Sequence, residues 1–151
     1  MPILTPAMKQ VLEEQRLGFV ATVCPDGTPN LSPKGTTTAW DDDHLIFADI
    51  HSPGTIANLH HNPHVEVNVV DPFARKGYRF KGIATVLTDS PQYAAIVAFY
   101  RQRGVRAPIQ SIALITIHAA APLISPAYDD GSSEDDIRAR WKQHYADLHN
   151  H

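Results

Sequence analysis

Phe19-Val20-Ala21-Thr22-Val23-Cys24, then Pro25-Asp26-Gly27-Thr28, then Asn30-Leu31-Ser32-Pro33-Lys34 reads as two strands around a tight turn. The first run is rich in β-branched residues, which suit a pleated surface. Pro25 sets φ and Gly27 accepts φ > 0, as a turn requires. A hairpin makes the local sheet antiparallel. The second strand continues irregularly through Gly35-Thr36-Thr37-Thr38. Pro33 denies its ladder one N–H, so this strand belongs at a sheet edge or a bulge.

Working outward, Thr5-Pro6 reads as an N-cap and a first helical residue. Ala7, Val11 and Leu12 share one face of that helix, which is expected to end near Gly18. Downstream, Asp41-Asp42-Asp43 is a turn and Leu45 to Asp49 a strand. His51-Ser52-Pro53-Gly54 opens a short helix, Thr55 to His61, closed by Asn62-Pro63. Val65 to Val70 alternates as a half-buried strand should. Asp71 to Gly77 is a polar loop. Tyr78 to Leu87 is a long strand with Arg79, Lys81 and Ile83 on one face and Tyr78, Phe80 and Gly82 on the other. A small barrel cannot bury both faces alone, which argues for a homodimer. Ser90-Pro91 starts a helix through Tyr100 that Gly104 ends, and Ile112 to Ile117 is apolar enough to be buried on both sides. Ser133 with Asp136 resembles a capping box. Ile137, Trp141 and Leu148 stripe the final helix, whose Arg138, Arg140 and Lys142 read as a solvated basic side.

Strands outnumber helices, and short turns join most of them. The expected fold class is mainly β (α+β): an antiparallel sheet of about six strands curled into a barrel, with short helices packed outside. No repeat or Gly/Ser linker divides the 151 residues, so one domain is expected over 1–151, with a C-terminal helical extension at about 132–149.

Hydrophobic residues make up 43% and charged residues 19%, which excludes a disordered or fibrous chain. The single cysteine, Cys24, excludes a disulfide framework. It ends an apolar strand and reads as a buried small residue. A formal charge of −3 provides no global basic field for nucleic acid. No apolar run approaches the ~20 residues of a membrane-spanning helix. Met1 to Pro6 lacks the pattern of a signal peptide. The expectation is a cytoplasmic protein with neither a nucleic-acid nor a membrane partner. Among nine histidines, His60, His61 and His64 cluster, as do His144, His149 and His151. Neither group has metal-ligand spacing on one element, so no metal is expected.

Three segments could carry chemistry. In Ser52 to Leu59, Pro53 fits a helix start and Gly54 lets a ligand approach the backbone. The first helical turn carries unpaired N–H groups and the positive end of the dipole. Thr55 adds a hydroxyl, and Asn58 lies on the same face. Together they form a phosphate cradle or, alternatively, an ordinary cap. In Ser32-Pro33-Lys34-Gly35-Thr36, a cation, hydroxyls and exposed amides could meet a phosphate or a polar ring edge. The alternative is an edge strand guarded by Lys. Arg79 and Lys81 read by themselves as a solvated face or an ion pair with a neighbouring acid.

The order of these segments resembles the FMN-binding split-barrel family that includes pyridoxamine 5′-phosphate oxidase. The residues that carry the resemblance are Gly27 to Gly35, Leu45 to Asp49, Thr55 to Pro63 and Tyr78 to Gly82. The resemblance implies an antiparallel split β-barrel, a homodimer with FMN at its interface, and a small-molecule substrate or electron donor. It implies that Ser32, Lys34, Gly35 and Thr36 lie along the flavin ring and ribityl chain, with Ala48 and Asp49 beside them. Gly54, Thr55 and Asn58 would hold the phosphate. Arg79 and Lys81 would reach the cofactor or the partner subunit. The oxidase proper carries an arginine-rich C-terminal segment that this chain lacks, so true pyridoxamine phosphate oxidation is not expected. The implied function is an FMN-dependent oxidoreductase with no catalytic residue identified. The alternative is a non-catalytic flavin, haem or deazaflavin binding module or electron carrier.

Overall fold

The computed structural model describes residues 2–150. Four helices surround a curled seven-stranded antiparallel sheet. The chain runs α1 (Pro6–Gln15), β1 (Gly18–Val23), β2 (Pro29–Lys34), β3 (Thr38–Ala39), β4 (His44–Asp49), α2 (Pro53–His61), β5 (His64–Asp71), β6 (Lys76–Leu87), α3 (Pro91–Gln102), β7 (Ser111–Ile124) and α4 (Glu134–His149). Strand order is β2-β1-β5-β6-β7-β4-β3. The seventh strand, beyond the six expected, is the two-residue β3. β2 lies at one edge, where the missing N–H of Pro33 costs no ladder bond.

The inner face of the curl is filled by Val20, Leu45, Phe47, Val67, Phe80 and Ile115, with Met8 and Leu12 of α1 packed against them. A second cluster lies under α3, where Ile46, Ile112 and Leu114 meet Ile96 and Tyr100. β4 and the first half of β7 are therefore buried on both faces, which accounts for their unbroken apolar runs.

Several local expectations need correction. In α1 the buried face is Met8 and Leu12, four apart, while Ala7 is exposed. That helix ends on Arg16, which takes the left-handed conformation (φ 50°) and donates its N–H to Leu12 O. Gly18 already begins β1 and lies so close to Thr37 that a Cβ would be 2.6 Å from its hydroxyl. β7 continues seven residues beyond Ile117. Its register against β6 shifts at Lys81/Gly82, so His118 is left unopposed and the strand proceeds to Ile124. Gly82 is required at that shift, because a Cβ there would sit 2.2 Å from Thr116 O. In α4 the stripe is Ile137, Trp141 and Tyr145; Leu148 is 54% exposed. Arg138 is not part of a solvated side: its guanidinium reaches the Asp71 carboxylate at 2.9 Å. Cys24 is only partly buried. Among the described residues, no helix is long and apolar enough to cross a membrane.

Candidate functional site

Lys34 ends β2, Ala48 and Asp49 end β4, and Ser52 precedes α2. Folding brings them together. The Lys34 ammonium donates to Ser52 Oγ at 2.6 Å. Asp49 accepts from Ser52 N–H at 2.9 Å and from Ser111 Oγ at 3.1 Å. Thr36 Oγ1 accepts from Ala48 N–H at 2.8 Å, and Thr36 O accepts from the Tyr100 phenol. Lys34 is 8% exposed and Asp49 7%. Burial holds the Lys34 ammonium below the usual lysine range, and the Asp49 carboxylate opposes that shift.

The start of α2 is unusual. Ser52 occupies the N-cap position, yet its side chain makes no cap bond to the helix. Its hydroxyl is taken by Lys34 instead. Pro53 has no N–H, so Gly54 and Thr55 present the open amides of the first turn. A Cβ at Gly54 would meet nothing within 4 Å, so space is open on that side of the helix start. Two open amides at the positive end of a helix, beside a buried ammonium, form a donor set that fits a phosphate monoester.

Of the other sequence-derived candidates, Gly35 and the Thr55 amide stay beside this site, while Asn58, Arg79 and Lys81 turn elsewhere. Asn58 turns its amide to Thr22 Oγ1 at 3.1 Å and pins α2 to β1. Thr55 is buried within the same helix. Gly35 is exposed in the turn after β2, and Ser32 lies partly buried along that edge strand. Arg79 and Lys81 stand on β6 and share Glu66 of β5, at 3.2 and 3.8 Å. Ser52 was quoted from sequence only as the start of the α2 segment, with no role of its own, and Ser111 was not singled out. Ser111 becomes legible only from the register that places it opposite Asp49. A separate groove of about 590 Å³ opens where β1, β5, β6 and β7 meet, with His64, Glu66, Lys81 and His118 in its lining. Among the described residues, no three His, Cys, Asp or Glu side chains gather as a metal site.

The pyridoxamine 5′-phosphate oxidase family model matches residues 4–121, which covers all seven strands except the last three residues of β7. The chain belongs to this family. A solved structure of HupZ from Group A Streptococcus is 31% identical, covers 80% of this chain and 94% of that one, and superposes with a TM-score of 0.73. Two more distant members of the oxidase-like fold show the architecture alone. One is HutZ, the heme storage protein of Vibrio cholerae (21% identity, 78% and 93% coverage, TM-score 0.63). The other is an FMN-binding protein of Syntrophomonas wolfei (17% identity, 77% and 88% coverage, TM-score 0.60). No curated protein matches the chain.

Proposed function

We propose that the protein is an FMN-binding oxidoreductase whose substrate is a small molecule other than pyridoxine 5′-phosphate. The observation that carries this reading is the uncapped start of α2 beside Lys34, within a family fold that includes an FMN-binding protein. FMN, when bound, supplies hydride or single-electron exchange. The chain's own residues do the holding. The Gly54 and Thr55 amides and the Lys34 ammonium meet the phosphate. Thr36, tied to Ala48, fixes the β2–β3 turn, where the Gly35 backbone lies exposed for the ring and ribityl chain. Asp49 keeps Ser52 and Lys34 in place.

A second reading has its own support. The groove of about 590 Å³ holds His64 and His118, the residue type that ligates haem iron, and HutZ shares the fold. The absorption spectrum of the purified protein separates the two readings, because a flavin and a haem have different visible bands. In calorimetry, FMN is expected to bind at least tenfold more tightly than riboflavin, which lacks the phosphate. Equal affinities would remove the α2 assignment, and a haem spectrum with no flavin uptake would favour the second reading.

A further inference from the structure

We propose that the cavity between α4 and the free ends of β6 and β7 is a binding site for a compact, neutral aromatic molecule, with α4 as its removable wall. The cavity measures about 290 Å³, near the lower bound of ~300 Å³ for ligand pockets. Its walls are Val11, Tyr78, Pro122, Leu123 and Ile124, contributed by α1, β6 and β7. Every charged group on its rim is already paired. Arg138 binds Asp71 at 2.9 Å and Glu134 at 3.1 Å. Lys76 binds Glu134 at 3.3 Å and lies 4.4 Å from the centre of the Tyr128 ring. A charged guest would have to break one of these pairs, so a neutral one fits. Half-buried Tyr78 brings an aromatic side chain to the lining, which suits an aromatic guest.

The mobility of the wall follows from how α4 is attached. Ile137 is its one fully buried side chain among the described residues. Its remaining anchors are the Arg138–Asp71 and Lys76–Glu134 pairs, the Arg75 guanidinium 3.4 Å from the centre of the Trp141 ring, and Phe73 edge-on to Tyr145. The Lys76–Glu134 pair is exposed on both sides and contributes only ~0–1 kcal/mol, and Ile137 is the helix's one fully buried side chain, so α4 belongs to the low end of local stability. Arg75 holds its stack from a left-handed backbone (φ 57°), a conformation that side chains other than glycine adopt at a cost.

The test uses the full chain and 5-fluoroindole, followed by ¹⁹F NMR. One saturable site is expected. Leu123→Trp and, separately, Val11→Phe fill the cavity from different elements, and each should weaken binding at least tenfold with the melting transition retained. Arg138→Gln loosens the wall and should speed release of the bound probe severalfold. Indole-3-acetate, the charged counterpart, should bind at least tenfold more weakly. Absence of a saturable shift overturns the proposal. So does full affinity in either folded, filled variant, and tighter binding of the acetate overturns the neutral class.

Discussion

Lys34 and Asp49 are a nearly buried cation and anion whose hydrogen bonds all run through a few neighbours. Removing one charge strands the other, which costs more than the pair contributes. Asp49→Asn is therefore expected to cost about 1.5–3 kcal/mol in urea unfolding, the range for hydrogen bonds to charged groups. Adding Lys34→Met to that variant should recover part of the loss, because no unpaired ammonium remains; strictly additive losses would show that the two residues are uncoupled. Lys34 and Thr36 were legible in the sequence because Pro33 marks an irregular edge strand with a cation and hydroxyls on it. The α2 start was legible from Pro53, Gly54 and the open amides of a first helical turn, and Asp49 only from the family resemblance. Ser111 was not, since it meets Asp49 across a separation of 62 residues that only the β4–β7 register creates. Asn58 was read as a ligand-facing side chain because helical spacing gives a face and not what that face meets. The structure turns it to Thr22.

At the scale of elements, strands were the most legible feature, because β5 alternates and β4 does not, each for a clear packing reason. The second half of β7 was missed. His118 to Pro122 is small, polar or proline-containing, and nothing local reveals that a bulge lets it pair with β6. α4 was found by its cap and its apolar spacing, but its docking residues were misread, since Arg138 looked solvated without Asp71 in view. That contact bears on specificity. A substrate phosphate needs a cation free to clamp it, and Arg suits that task best. Arg138 is committed to Asp71 and Glu134, and Arg140 is exposed on another side of the helix. Pyridoxine 5′-phosphate and pyridoxamine 5′-phosphate are accordingly expected to turn over no faster with the FMN-loaded protein than with free FMN. Formation of pyridoxal 5′-phosphate at rates near the ~10 s⁻¹ typical of enzymes would contradict this.

At the scale of the molecule, the outer face of the β1–β2 hairpin remains apolar. Register places Phe19 beside Pro33, Ala21 beside Leu31 and Val23 beside Pro29. Phe19 is 41% exposed and Leu31 66%. A contiguous apolar face on an edge hairpin calls for a cover, and a second copy of the chain is the cover we propose. Light scattering should give twice the 16.7 kDa chain mass, and Phe19→Arg with Leu31→Arg should give a monomer. A monomeric parent chain with FMN present would refute this. The sheet itself is divided in sequence: β7 alone bridges the β2-β1-β5-β6 part to β4-β3. A chain emerging from the ribosome therefore makes Asp49, the last residue of β4, 62 residues before Ser111, the first of the strand that closes its long edge. Until β7 arrives, Leu45, Ile46 and Phe47 have only two-residue β3 to pair with as a strand. Such non-local closure makes folding slow, and the waiting strand is open to mispairing with other chains. Synthesis rate and chaperone access, more than final stability, should then govern how much of this protein is recovered in native form.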